Sequence, residues 1–246
     1  GINRLSLGIQ ALNDTDLTFL GREHSAKEAI KTIETASKLF DNFSFDLIYA
    51  RPQQTLESWK KELETALSFG TKHLSLYQLT IEKGTEFFSR YKKGLFHMPD
   101  EELSAQFYEL TNNITANHGF DLYEISNYAK KSFECQHNLT YWKGEDYLGI
   151  GAGAHSRIYL DDAKQRQALM MIHEPLAWLR KVEEKGAGIQ SQEAITQSEL
   201  KEELILMGLR LKEGINEEIF QTHLNKKLTE VFNFEKLKIL ESQGLI

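Results

Sequence analysis

The sequence predicts a mixed α/β protein: a parallel sheet with crossover helices, followed by a small helical, winged-helix-like C-terminal domain. Three observations predict it. Strand and helix patterns alternate with short links through residues 3–80, the signature of βαβ units. From about residue 174 four helical patterns with short breaks take over. Nothing repeats at a solenoid period. The division is expected at 160/161, giving segments 1–160 and 161–246.

Each element has a local reason. "NRLSLGIQ" (3–10) sets Leu5, Leu7 and Ile9 at period two, as a strand requires. Ser25 with Glu28 has capping-box spacing, and Ala29, Ile30, Ile33, Ala36 and Phe40 then share one helical face. "FSFDLIYA" (43–50) is nearly continuously apolar, which predicts a strand buried on both faces; Pro52 stops it. A helix follows from near Thr55, with Leu56, Trp59, Leu63 and Leu67 on one stripe and Gly70 as its cap. "HLSLYQLT" (73–80) is the third strand. "MPDEEL" (98–103) opens a helix ending around Gly119, with Pro99, Asp100 and two glutamates complementing the helix dipole. "FDLYEISNYA" (120–129) reads as one further strand.

Bulk composition narrows the function. Of 246 residues, 41% are apolar and 26% charged, as in an ordinary globular protein. A net charge of −7 creates no field that recruits nucleic acid, and acidic residues outnumber basic ones from residue 160 onward. That argues against a DNA-binding winged helix. No apolar run is long enough to span a bilayer. The single cysteine, Cys135, rules out a disulfide framework within the chain and suits a reducing cytoplasm. Gly1 runs almost at once into a strand pattern and the chain closes on "LESQGLI", so a fragment of a longer chain is expected.

In parallel α/β architectures ligands sit at the carboxyl ends of the strands. Here those ends bring Gln10, Asp46, Gln78 and Thr80. An aspartate inside an apolar strand is costly unless it is paired or faces a polar ligand. Asp and Gln at neighbouring strand ends suit a ribose diol, and Arg22 in "FLGR" suits a carboxylate. The plainer alternative makes Asp46 a satisfied structural carboxylate and Arg22 a surface cap. The stretch "ECQHNLTYWKGEDYLGIGAGAHS" (134–156) adds imidazoles, aromatic faces and Gly149, Gly151 and Gly153. The glycines suggest close passage of a cofactor along the backbone, and the aromatic pair is equally suited to a structural corner.

"RLSLGIQALND…FLGREHS", "DLIYARPQQTLESW", "LSLYQLTIEKGT" and "YEISNYA…ECQHNLTYWKGEDYLGIGAGAHS" together resemble the radical S-adenosylmethionine family of oxygen-independent coproporphyrinogen III oxidase. Within it they are most similar to the heme-chaperone branch, HemW, through the HNxxYW element at His137–Trp142. The resemblance implies the second half of an open parallel (β/α) barrel. It implies S-adenosylmethionine contacts at Gln10 and Asp46 (ribose), Arg22 (methionine carboxylate), Thr80 (adenine, through backbone) and His155 (closing over the adenine). Heme is expected at His137, as axial ligand to the iron, with Tyr141 and Trp142 as flat apolar faces.

The resemblance also implies a 4Fe-4S cluster, whose CxxxCxxC ligands are not in this sequence; Cys135 alone cannot hold one. The usual "YGLPGQT" stands here as "YARPQQT", with Ala50, Arg51 and Gln53 replacing two glycines and a leucine. That departure is expected to tighten a turn near the ligand and to weaken substrate access. The implied function is a cytoplasmic heme chaperone that touches a membrane transiently as it delivers heme to membrane-bound respiratory cytochromes; a second copy of the chain is a further expected partner. The rival is the oxidase itself, a radical S-adenosylmethionine oxidoreductase decarboxylating two propionates through a 5′-deoxyadenosyl radical. An inactive truncated remnant is the third reading.

Overall fold

The computed structural model describes residues 2–160 and 165–245. In chain order they form β1 (Leu5–Gln10), α1 (Asp14–Phe19), α2 (Ala26–Leu39), β2 (Phe43–Tyr49), α3 (Leu56–Ser68), β3 (His73–Gln78), α4 (Glu86–Lys92) and α5 (Glu101–Asn117). There follow β4 (Asp121–Glu124), β5 (Asn127–Ala129), α6 (Gln136–Trp142), β6 (His155–Ile158), β7 (Gln167–Met171), α7 (Pro175–Lys185) and β8 (Ile189–Ala194). The chain closes with α8 (Gln197–Gly208), α9 (Glu217–Leu224), α10 (Leu228–Val231) and α11 (Phe234–Ser242).

Two compact units divide at Cys135/Gln136, ahead of the expected 160/161. The reason is local. Tyr147 and Arg157 exchange backbone hydrogen bonds at 2.8 and 3.0 Å, and the Arg157 guanidinium pairs with Glu203 of α8 at 2.7 Å. Residues 136–160 are therefore tied to the C-terminal helices.

In the first unit the sheet order is β1-β2-β3-β5-β4, with β1, β2 and β3 parallel. Helix starts follow the chemistry read from sequence: Ser25–Glu28 forms a capping box ahead of α2, Thr55 caps α3 and Asp100 caps α5. The short helices α1 and α4 are additions to the expected set; each is a single capped segment with too few apolar positions to show a period. "FDLYEISNYA" is two strands, not one. It turns at Ile125–Ser126 and pairs with itself antiparallel, Leu122 opposite Tyr128.

β2 also departs from expectation. Phe43, Phe45, Leu47 and Tyr49 are buried in the core with Ile33 of α2, Trp59 and Leu63 of α3, and Phe107 of α5. Trp59 Nε1 donates to Thr111 Oγ1 at 2.8 Å, so even the indole N–H is satisfied inside that core. The alternate residues Ser44, Asp46 and Ile48 take the other face, where Asp46 and Ile48 are only half-buried. Register puts His73, Ser75 and Tyr77 of β3 beside them. The helix-packed face is apolar and the opposite face polar, as the inside of an incomplete barrel requires.

In the second unit β6, β7 and β8 form an antiparallel sheet in that order. This sheet lies outside the sequence expectation, because "IQSQEA" in β8 carries almost no apolar alternation. The four expected helices are α7, α8, α9 and α11. Leu200 and Leu204 of α8 and Phe220 and Leu224 of α9 make a core with Ile195. No helix among the described residues is long and apolar enough to cross a membrane.

Candidate functional site

The carboxyl ends of β1, β2 and β3 carry the first group of candidates. Gln10 closes β1 in the left-handed region, φ 74°. A non-glycine residue there is strained by about 1 kcal/mol or more, and the strain turns its side chain off the pleat. Arg22 Nη2 donates to Gln10 Oε1 at 3.2 Å, so two predicted contacts meet. Gln10 is in register with Leu47, the residue after Asp46. Burial holds the Asp46 carboxyl above the usual carboxylate range, with the Ser75 hydroxyl and Arg4 pulling the other way. Thr80 lies just beyond β3 and lines a cavity of about 370 Å³ with Ala50, Gln78, Tyr91, Met98 and Ser104. That volume is in the range of small-ligand pockets.

The turn after β2 shows what the altered motif does. Ala50 and Gln53 are left-handed, φ 54° and 64°, at the two positions where the resemblance implies glycine. Arg51 is buried and reaches Asp16 at 2.9 Å and Glu62 of α3 through its second guanidinium nitrogen. Glu62 also accepts from the Leu12 N–H at 2.7 Å. One ion cluster thus ties the loops after β1 and β2 to α3. Sequence reading misses it; a buried arginine in a strand-end turn gives no periodic signal.

The second group lies in the second unit. His137 and Asn138 open α6, and His137 is exposed with its ring edge-on to Tyr141 at 4.7 Å. Tyr141 packs edge-on against Tyr147 at 4.4 Å. Trp142 lies under the Arg210 guanidinium, 4.4 Å from its ring centroid, and faces Leu204, Leu211 and Phe220. Its indole is committed to the unit's own packing. The glycine ladder has a similar cause. A Cβ on Gly149 would lie 2.1 Å from the His155 carbonyl oxygen, and Gly151 and Gly153 have φ of 113° and 70°. The backbone that passes so close is the chain's own. His155 begins β6 with an exposed side chain. His24 and His118 bond backbone carbonyls, at 3.1 and 2.8 Å, and His73 is buried in the first sheet. Among the described residues no three His, Cys, Asp or Glu side chains gather as a metal site.

Known proteins match along the whole length. The family model of the HemN C-terminal domain covers residues 195–246. A heme chaperone, HemW, of Bacillus subtilis is 36% identical over 247 residues, covering 100% of this chain and 63% of its own length. The chain belongs to the radical S-adenosylmethionine HemN/HemW family. The mitochondrial radical S-adenosyl methionine domain-containing protein 1 of Danio rerio is 38% identical over 250 residues, 99% of this chain and 56% of that protein. The coproporphyrinogen III oxidase HemN of Escherichia coli, described as a radical SAM enzyme, shares the fold with a TM-score of 0.72 at 20% identity, over 99% of this chain and 57% of its own. The chain therefore spans less than two thirds of the relatives it matches.

Within this HemN/HemW frame the residue types fit their expected ligand. A half-buried carboxylate and a carboxamide can accept from ribose hydroxyls, and a guanidinium can hold an amino-acid carboxylate. The cluster does not fit this sequence, which has one cysteine.

Proposed function

We propose that this chain is the S-adenosylmethionine- and heme-binding part of a heme chaperone, delivering heme to membrane-bound respiratory cytochromes. The observation that carries it is the 36% identity to a heme chaperone over the whole chain, a span that takes in His137–Trp142. In this reading Gln10 and Asp46 hold the ribose, Arg22 the methionine carboxylate, and Thr80 the adenine through backbone. His155 is assigned to the adenine on family resemblance alone. S-adenosylmethionine when bound supplies a sulfonium-activated carbon; this chain's residues orient it and exclude water. The 4Fe-4S cluster belongs to the proposal only through cysteines outside these residues.

Heme is the cargo, with His137 as its axial ligand and Tyr141 beside it as an apolar face. Trp142 contributes by fixing α6. Oxygen-independent coproporphyrinogen III oxidase is the second reading, supported by the fold shared with that enzyme.

Two titrations on the full-length protein test the proposal. Asp46→Ala should weaken S-adenosylmethionine binding by about 1–3 kcal/mol, the range for a hydrogen bond to a charged group; unchanged affinity removes Asp46 from the site. His137→Ala should shift the Soret band and lower heme affinity, whereas His155→Ala leaves the heme spectrum alone. Turnover of coproporphyrinogen III would favour the oxidase.

A further inference from the structure

The polar face of the first sheet holds a hydrogen-bond chain that leads to Asp46. Glu124 of β4 is buried and accepts from Asn127 Nδ2. That contact fixes the amide, turning Asn127 Oδ1 toward Ser75, whose hydroxyl donates to it at 2.7 Å. Ser75 is in register with Asp46 across β2 and β3, which sets the two side chains next to each other on this face, and its hydroxyl is among the groups that pull the Asp46 pKa down. A serine hydroxyl has one hydrogen. It can serve Asn127 or Asp46, never both at once. Committed to Asn127, it shows Asp46 only lone pairs, which suit a neutral carboxylic acid that donates. Turned to Asp46, it suits a carboxylate.

Among the described residues the other titratable and charged groups about this face include Arg4 ahead of β1, His73 and Tyr77 on β3, Tyr123, whose hydroxyl lies 2.9 Å from His73 Nε2, and Glu124 on β4. Burial first, then Arg4, pushes the His73 imidazole down to about 3, so it stays neutral. Burial first, then Asp46, raises the Tyr77 phenol. Neither takes up the proton that Asp46 gives away.

We infer that S-adenosylmethionine binding expels a proton from Asp46 to solvent, the Ser75 hydroxyl swinging from Asn127 to the new carboxylate. The inference rests on the assignment of Asp46 to the ribose. A ribose diol offers hydrogens that a carboxylate accepts and a neutral acid, already donating, accepts poorly. A sulfonium cation favours the same ionised form. Only an O–H bond breaks, and the released proton goes to buffer. The ligand selects the carboxylate, so affinity rises with pH through the raised Asp46 pKa and levels off above it.

Calorimetric titration of S-adenosylmethionine into the full-length protein, in two buffers of different ionisation enthalpy and at several pH values, counts the protons. Net release that fades as pH rises through the Asp46 pKa is expected, with none above the ligand's own contribution in Asp46→Asn. Asn127→Ala frees the Ser75 hydroxyl for Asp46 and should move the affinity midpoint to lower pH; should that variant fail to fold, Asp46→Asn still decides. Wild-type affinity that ignores pH, or equal proton release in Asp46→Asn, overturns the inference and leaves the ribose assignment standing. No binding at any pH removes both.

Discussion

The polar face of the first sheet and the aromatic helix of the second unit both look like ligand sites by residue type, yet they satisfy their side chains differently. In the first unit Gln10 is held in a strained conformation by Arg22, and Asp46 stays half-buried with a single shared hydroxyl. Capacity is left over for a ligand. In the second, Trp142 is stacked under Arg210 although its buried indole N–H has no partner among the described residues, Tyr141 packs on Tyr147, and Gly149 is closed off by the backbone of His155. His137 and His155 keep exposed side chains. A residue whose faces are packed by its own unit marks architecture, and one whose polar capacity stays within reach of solvent marks a site.

The largest effect should come from the cluster that holds the ligand end of the first unit together. Arg51→Ala leaves Glu62 buried without its cation and should cost about 3–5 kcal/mol in urea unfolding. A cost below about 1 kcal/mol, the level of a surface pair, would mean that the strand-end loops are held some other way.

Trp142→Ala sharpens the other half of the contrast. It removes an aromatic packed on the core of the second unit and should cost about 3 kcal/mol. His137→Ala should leave melting nearly unchanged, because that side chain is exposed. Equal stability losses in the two variants would erase the distinction between anchor and ligand.

Next comes a pH effect on the polar face. Folding lowers the His73 pKa from 6.5 to about 3, so the unfolded chain binds the extra proton between those values. Stability is full above the unfolded value and falls as pH drops toward about 3, by up to about 1.4 kcal/mol per pH unit. His73→Gln should flatten that slope in pH-dependent unfolding. A slope that survives places the acid sensitivity elsewhere.

The smallest effect tests the strained turn. Ala50→Gly and Gln53→Gly should each stabilise by about 0.5–1 kcal/mol, since glycine adopts the left-handed region without strain. A loss instead would show that those side chains contribute contacts worth more than the strain.

How far the sequence can be read depends on how local the signal is. Ser25, Thr55 and Asp100 announce helix starts because a cap is written within four residues. β1, β2 and β3 are legible from apolar runs, and the place of Gln10 at the end of β1 follows from them. The hairpin of β4 and β5 is not, since Ile125 keeps the run apolar through its turn. Nor is the second sheet, whose strands rest on pairing rather than on alternation. The Glu124–Asn127–Ser75 chain joins residues about fifty positions apart and becomes visible only with strand register in hand.

Cys135 ends the first unit as the only thiol in the sequence, buried, with its N–H donating to the Tyr123 hydroxyl at 3.4 Å. It is a ready-made clock. A maleimide can react with it only when the protein opens there, so the alkylation rate divided by that of an unfolded chain gives the fraction of time spent open. No engineered label is required. Because Tyr123 also lies 2.9 Å from His73 Nε2, that ratio, taken at each pH against the unfolded chain, should rise as acid protonates the histidine, reporting the loosening of the sheet at one sulfur atom.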